Sequence, residues 1–366
     1  MKVLYLINYA GGGGTEKYVL NLIESYTDAG IKCYFAYNEK GLLATQMAQR
    51  KISTFQFEMK NPFDLNAAKT LARICRQNKI DVIHAQHPRE NCIACLSKLF
   101  YPGVSVVYTS HILLKNNTFW KIINRTVARG CDRIIAVCNA GKQLLSQNGF
   151  NTKKIDVIFN GVPIPPQKSE NDIRAELNIS KDTFVICALT RYSAEKGVDF
   201  LVDTMQRLKG KTDRRFLLLI AGTGEEYDKI GEKIKSLELE DRIIRLGYRT
   251  DTSALLEACD LFINLSQTEA LSFAIIEALS HAKPVVVTNV GGTSDIVNEK
   301  SCCGVAVEYG DVEGASDAVA RLMQDRELYE KYCKGAFENV CENFNQALML
   351  EKTCNVYKTL CQSKNK

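Results

Sequence analysis

The sequence predicts an α/β chain of two doubly wound, parallel-sheet domains in tandem, and three observations carry that prediction. Short β-rich apolar runs alternate with longer amphipathic segments from end to end. One proline-rich stretch near the middle breaks the alternation. The charge divides at the same place: residues 1–160 carry 21 Lys and Arg against 10 Asp and Glu, and residues 161–366 carry 26 against 32. A basic half joined to an acidic half suggests domains that meet different partners. At 366 residues the chain has room for both.

In the first half the strands read as "KVLYLI", "KCYFAY", "DVIHA", "SVVYTS", "RIIAV" and "KIDVIF". Between them lie helical patterns, such as the stripe Tyr18, Val19, Leu22, Ile23 and Tyr26. The stretch "NGVPIPPQKSEN" (160–171) cannot continue a helix or a central strand, and is the predicted linker. Beyond it come "FVICALT", "RFLLLIAG", "RIIRLG", "LFINLS", "PVVVTN" and "GVAVE". The expected domains are 1–162 and 163–342. A C-terminal helix, 343–366, is expected to pack back toward the first domain and to end in a frayed "SKNK". Ligands of doubly wound sheets sit outside the carboxyl ends of the strands, so a cleft between two such domains is where chemistry is expected.

Composition excludes several classes. Apolar and charged fractions of 46% and 24% are those of a soluble globular protein. No segment reaches the roughly 18 consecutive apolar residues of a membrane span. The N-terminal apolar run lacks a small-residue cleavage site and reads as a first strand, which points to a cytoplasmic protein. No zinc-finger or RRM signature accompanies the basic half, so nucleic acid is not the expected partner. The 14 cysteines follow no spacing pattern and read as reduced structural thiols. His84, His87, Cys92 and Cys95 are the residue types of a zinc site. However, His84 closes a strand, the cysteine pair opens a helix, and no second CxxC follows.

Three stretches carry the chemistry. "GGGGTEK" (11–17) joins a strand to a helix, where free amides and the helix dipole favour an anion. It lacks the Lys-Ser/Thr ending of a P-loop, and Glu16 stands where a dinucleotide fingerprint has its third glycine. A plain tight turn remains an equal reading. In "ALTRYSAEKG" (188–197), Arg191 and Lys196 follow a strand end and can converge on a diphosphate, the one as a fork and the other as a point charge. A solvated surface loop is the alternative. In "SQTEALSFAIIEALSHAKPVVVTNVGG" (266–292), Glu269 and Glu277 flank a helix start. Eight residues of ideal helix would set them about 12 Å apart along the axis. They could then hold two ends of an elongated hydroxylated ligand, while the amides near Ser272 and Phe273 meet an anion.

Taken in order, "GGTE" (13–16), "DVIHAQ" (81–86), "FNGV" (159–162), "TRYSAEKG" (190–197), "LLIAGTGEE" (218–226), "IIRLGY" (243–248) and the Glu-x7-Glu segment with "KPVVVTNVGG" (283–292) resemble the retaining glycosyltransferases of family 4 over nearly the whole chain. The resemblance implies the GT-B fold: two Rossmann-like domains facing a central cleft. It implies that Arg191 and Lys196 bind the donor diphosphate and that Glu277 accepts from the ribose. Glu269 would accept from the sugar's 3- or 4-hydroxyl, and His111 would contact the sugar near its 6-hydroxyl. Arg245, Leu246 and Gly247 would edge the base through their backbone. Gly13 and Gly14 would wall the donor phosphate from the first domain, with Gly12 and Glu16 on the acceptor side. Thr190 and Ala270 stand where the family usually has glycine, "NGVP" replaces "NGVD", and Asp295 stands where Glu is common.

The implied reaction moves a hexose-type sugar from a nucleotide diphosphate sugar, a UDP-sugar being favoured, to a hydroxyl acceptor. It proceeds by front-face attack through an oxocarbenium-like state, because no matched carboxylate is placed as a nucleophile. With no Asp-x-Asp motif, no metal or other cofactor is expected; the two cations would take the metal's place. "ILLKNNTFWKIINRTVARGCDR" (112–133) interleaves Phe119, Trp120, Ile122, Ile123 and Val127 with five cations. It reads either as a helix packed on the sheet or as one lying on an anionic membrane, serving a lipid-linked acceptor of polysaccharide or glycolipid synthesis at its inner face. The alternatives weighed are a nucleotide-sugar epimerase of the same architecture, a dinucleotide oxidoreductase, and a non-catalytic sugar-nucleotide sensor.

Overall fold

Among the described residues of the computed structural model, thirteen strands form two all-parallel sheets. Residues 1–164, 166 and 169–363 are described (of residue 128, the backbone only). The linker positions 165, 167 and 168 and the expected frayed tail at 364–366 lie outside the described residues. The first sheet holds β1 (Lys2–Tyr9), β2 (Lys32–Glu39), β3 (Ser53–Gln56), β4 (Val82–Ala85), β5 (Ser105–Ser110), β6 (Arg133–Ala136) and β7 (Ile155–Val157). The second holds β8 (Phe184–Leu189), β9 (Phe216–Ala221), β10 (Ile243–Gly247), β11 (Leu261–Asn264), β12 (Val285–Thr288) and β13 (Gly304–Val307).

The orders are β3-β2-β1-β4-β5-β6-β7 and β10-β9-β8-β11-β12-β13. Both begin 3-2-1-4 counted from their own first strand, the doubly wound order whose direction reverses once. The reversal lies between β1 and β4 in one sheet and between β8 and β11 in the other. Helices cover both faces, so the central strands are apolar throughout rather than alternating. Every residue of β5 and of β9 is buried. One core gathers Leu4, Leu6, Ile83 and Val106 with helix residues such as Leu71; the other gathers Ile186, Leu218 and Ile263 with Met205 and Val319.

Twelve of these strands stand where the sequence shows an apolar run. The exception is β3, "STFQ", an edge strand paired to β2 alone and mostly exposed. An edge strand with one neighbour needs no continuous apolar run, so its sequence carries little signal. Its Phe55 stacks on Tyr34 with ring centroids 6.4 Å apart.

Contacts divide the chain into two units, Met1–Asn160 with the segment from Leu348 onward, and Gly161–Ala347. In the first unit the C-terminal helix Gln346–Ser363 is fixed by polar contacts as well as burial. Tyr26 Oη donates to the Leu350 carbonyl at 2.6 Å, and the buried Tyr357 hydroxyl lies 2.6 Å from His84 Nδ1. In the second unit the entering and leaving segments lie side by side. Val162 N donates to Phe344 O, and Gln346 N donates to Val162 O, both at 2.9 Å. No described helix is long and apolar enough to cross a membrane.

Candidate active site

The second sheet reverses between β8 and β11, and the two charged loops of the sequence leave the sheet at those strand ends. After β8 the chain runs through Thr190 and Arg191 to a single 3-10 turn, Ala194–Lys196, and then into the helix Val198–Lys209. Gly197 makes this path possible. Its φ is +63°, and a Cβ there would stand 2.1 Å from the Leu265 carbonyl oxygen. Only glycine takes that conformation without strain and lets the loop lie against the end of β11. Gln267 N donates to Glu195 O at 2.8 Å, which ties the two loops directly. A third loop joins them: Tyr192 N donates to Thr223 O, and Gly222, at φ +143°, passes so close to Thr190 that a Cβ would meet its carbonyl oxygen at 1.8 Å.

The resulting geometry brings Lys196 to Glu269. Lys196 Nζ donates to Glu269 Oε1 at 2.7 Å, and the buried Ser266 donates to the same oxygen at 3.0 Å. The pair is largely withdrawn from water, with side-chain exposures of 24% and 11%. Arg191 differs. Its side chain is 63% exposed and pairs with Glu195 at 2.7 Å, four residues on. That carboxylate is held below its ordinary pKa, chiefly by its own backbone amide and Ser193, with Arg191 adding to the effect. An exposed pair of this kind contributes little stability and is readily exchanged for a ligand. Lys196 and Arg191 therefore share one loop but have different partners.

Glu269 and Glu277 flank a helix start, as expected, but the ideal-helix spacing between them is corrected. The helix begins at Phe273, with Ser272 as its N-cap, and ends at Ser280. Glu269 lies in the preceding loop, where its backbone carbonyl accepts from Gly292 N at 3.2 Å, so the 12 Å helical spacing does not apply. The backbone at Ser272 is extended, and its side chain makes no capping bond. The first amides of this helix are thus left uncapped by its N-cap side chain. Glu277, one turn in, is half-buried.

At the end of β10, Arg245 turns its side chain into the fold. Its guanidinium donates to Tyr227 O at 2.7 Å and lies 4.4 Å from the Tyr227 ring centroid. What this strand end offers to a ligand is backbone at Leu246 and Gly247, where the register with β9 shifts. Gly247 O is itself engaged, accepting from Gly222 N at 2.7 Å.

In the first domain the glycine loop follows β1, also at its sheet's reversal. Gly12 is exposed. Gly13 is the N-cap of the helix Gly14–Asp28, and its amide donates to Glu16 Oε2 at 2.9 Å. Glu16 thus serves its own helix N-terminus, satisfying an orphan donor and complementing the dipole. His111 follows β5. Its Nε2 lies 2.9 Å from Gln86 Oε1, and its ring meets Tyr18 edge-on with centroids 4.8 Å apart. Burial, and then the neighbouring His87 and His84, push its pKa well below 6.5, so it is neutral at physiological pH.

The zinc alternative has no geometric support. His84 is fully buried between Tyr357 and Thr109, all 14 cysteines are free, and among the described residues no group of three or more His, Cys, Asp or Glu could hold a metal ion. Sequence reasoning assigned no role to Gln86, Ser266, Glu195 or Gly197. The signal was present for two of them: Gln86 and Ser266 are polar residues directly at the ends of apolar strand runs.

Comparison with known proteins agrees with the two-domain fold. Residues 12–164 match Glycosyltransferase Family 4, and residues 169–339 match Glycosyl transferases group 1. N-acetyl-alpha-D-glucosaminyl L-malate synthase of Bacillus anthracis is 24% identical over 86% of this chain and 82% of its own. The UDP-Gal:alpha-D-GlcNAc-diphosphoundecaprenol alpha-1,3-galactosyltransferase of Escherichia coli is 23% identical over 80% and 79%. Among solved structures, Anabaena Alr3699/HepE in complex with UDP superposes with a TM-score of 0.87 at 21% identity, covering 98% of this chain and all of that one. With two Rossmann-like parallel-sheet domains matched in order by these two families, the chain belongs to the glycosyltransferases of GT-B fold, a family 4 domain followed by a group 1 domain.

Proposed function

We propose that the protein is a retaining glycosyltransferase that moves a hexose-type sugar from a UDP-sugar to a hydroxyl acceptor. The observation that carries this reading is the convergence, at the reversal of the second sheet, of Lys196, Glu269 and the uncapped N-terminus at Ser272–Phe273. A cation, a carboxylate and free amides together match a sugar diphosphate, whose phosphates seek positive charge and whose hydroxyls seek acceptors.

The roles are those the family resemblance implies. Arg191 and Lys196 hold the diphosphate and stabilise the charge that develops on it as the glycosidic bond breaks. Glu269 accepts from a sugar hydroxyl and Glu277 from the ribose. Leu246 and Gly247 meet the base through their backbone. On the first domain His111 contacts the sugar, and Gly12, Gly13 and Gly14 leave room for a phosphate to approach. The departing diphosphate takes the acceptor's proton, so the new bond forms on the face the leaving group vacates. The two cations supply the positive charge without a metal ion, and turnover in EDTA tests that point. UDP as the nucleotide is supported by the UDP-sugar named for the Escherichia coli relative and the UDP bound by the Anabaena protein. Proton NMR of the first-formed product tests the stereochemistry: an α-donor gives an α-product, and a β-product rejects the mechanism.

For the acceptor, a lipid-linked saccharide is the reading supported by the helix Thr118–Gly130. It is anchored on one side, where Trp120 stacks on Phe63 at 6.0 Å and Asn124 donates to Asn148 O. Phe119 and Ile122 are 63% and 59% exposed, close in sequence to Lys115, Lys121 and Arg125. Exposed apolar residues among cations suit an anionic lipid surface. The Escherichia coli relative's name places its own acceptor on diphosphoundecaprenol.

A further inference from the structure

Gln86 is fully buried, and both ends of its amide are used. One end lies 3.1 Å from the His84 carbonyl oxygen and the other 2.9 Å from His111 Nε2. A carbonyl can only accept, so the end facing His84 must be the Nε2 amino group. The amide oxygen then faces His111, and an oxygen can only accept from it. The opposite orientation would set two acceptors against each other at 3.1 Å. His111 must therefore carry its proton on Nε2. The imidazole is neutral, so Nδ1 is a bare lone pair, and it has no hydrogen-bond partner among the described residues.

We propose that Gln86 is a positioning residue that fixes His111 in its Nε2–H form, so that His111 Nδ1 presents a hydrogen-bond acceptor to a ligand hydroxyl. This gives a chemical cause to the sugar contact that the family resemblance already implies for His111. A lone pair attracts a hydroxyl and repels phosphate oxygens, so His111 reads sugar rather than diphosphate. Backbone anchoring explains why this works. The His84 carbonyl belongs to β4, and its position is set by the sheet, so the amide cannot turn without losing a bond in a buried site. The ligand half of the proposal rests on the nucleotide-sugar function above; the tautomer half does not.

The chain has four histidines, so long-range proton–nitrogen spectra of the full-length labelled protein resolve each ring, with His111→Asn giving the assignment. The expected result is a single Nε2–H form of His111 in the wild type. In Gln86→Met the expected result is a mixture of tautomers. An Nδ1–H form in the wild type overturns the proposal, as does an unchanged single Nε2–H form in Gln86→Met. With UDP-glucose as probe, the His111 Nδ1 resonance should shift, whereas UDP alone should leave it in place. UDP-glucose that raises the thermal midpoint without moving Nδ1 overturns the recognition of a hydroxyl. A failure of UDP-glucose to raise the midpoint of any variant counts against the donor reading instead, and the tautomer then decides the role of Gln86 alone.

Discussion

Lys196 and Glu269 form a 2.7 Å ion pair at the reversal point of the second sheet, and the Ser266 hydroxyl shares the same carboxylate oxygen. With Oε1 occupied twice, Glu269 has Oε2 to offer. The pair holds a cation and a carboxylate in fixed register, the proposed partners of a donor's phosphate and sugar hydroxyl. Lys196→Ala removes the cation and leaves a nearly buried carboxylate without its counter-charge. Turnover is expected to fall on the order of 10²–10³-fold, with a stability loss of up to about 3–5 kcal/mol. Steady-state rates and urea midpoints on the same variant read both. The double variant with Glu269→Ala should be less destabilised than the sum of the singles, because the stranded carboxylate is gone.

Gly197 shapes that site through its backbone. Gly197→Ala places a Cβ in the left-handed region and against Leu265 O. A loss of about 1–3 kcal/mol is expected from strain alone, together with weaker donor binding as the loop moves off β11. Retention of wild-type stability and donor affinity would show that the close approach is not required.

Glu90, in the helix Pro88–Ser97, gives the first domain a pH signature. Burial raises its pKa from 4.5 to about 7; its own amide, that of Asn8 and the Arg89 charge only partly oppose this. The native state then holds a proton that the unfolded chain releases near pH 4.5. Stability present below that pH is lost as pH rises toward 7, by on the order of 3 kcal/mol. His84 acts in the opposite sense: burial lowers its pKa to about 3, so its contribution is present above pH 6.5 and lost as pH falls toward 3. Thermal midpoints measured from pH 4 to 8 should therefore show Glu90→Gln gaining most at pH 8. An equal gain at pH 4.5 would place the cause elsewhere.

The exposed pair Phe119 and Ile122 should matter only where lipid is present. Phe119→Ser with Ile122→Ser is expected to leave folding unchanged, since both side chains face solvent. Sedimentation with vesicles containing anionic lipid should drop several-fold, and the residual binding should weaken with salt. Equal sedimentation of the wild type and the variant would remove the lipid-surface role.

The sheets were legible because parallel strands buried on both faces must be continuous apolar runs, as in "RFLLLIAG" for β9. β3 was not, because an edge strand need not be apolar. Lys196 and Glu269 were legible as residue types at strand ends, but their pairing was not. It depends on Gly197 bringing together segments 73 residues apart, and spacing within each segment says nothing about that. The helix start between Glu269 and Glu277 was legible and stands at Ser272–Phe273; their helical spacing was not, because Glu269 lies in the loop before the helix. The family resemblance puts Glu16 on the acceptor side. Its hydrogen bond to Gly13 N gives it a local purpose that three-residue spacing could have suggested.

The most direct test of a donor diphosphate seated on Lys196 is a thermal-shift comparison of wild type and Lys196→Ala against UDP-, GDP- and ADP-sugars. A ligand at 100 times its Kd stabilises the folded state by about 2.7 kcal/mol. The expected result is a clear rise in the wild-type midpoint with a UDP-sugar and little or none in Lys196→Ala. An equal rise in both proteins, or no rise in the wild type with any nucleotide sugar, would contradict it.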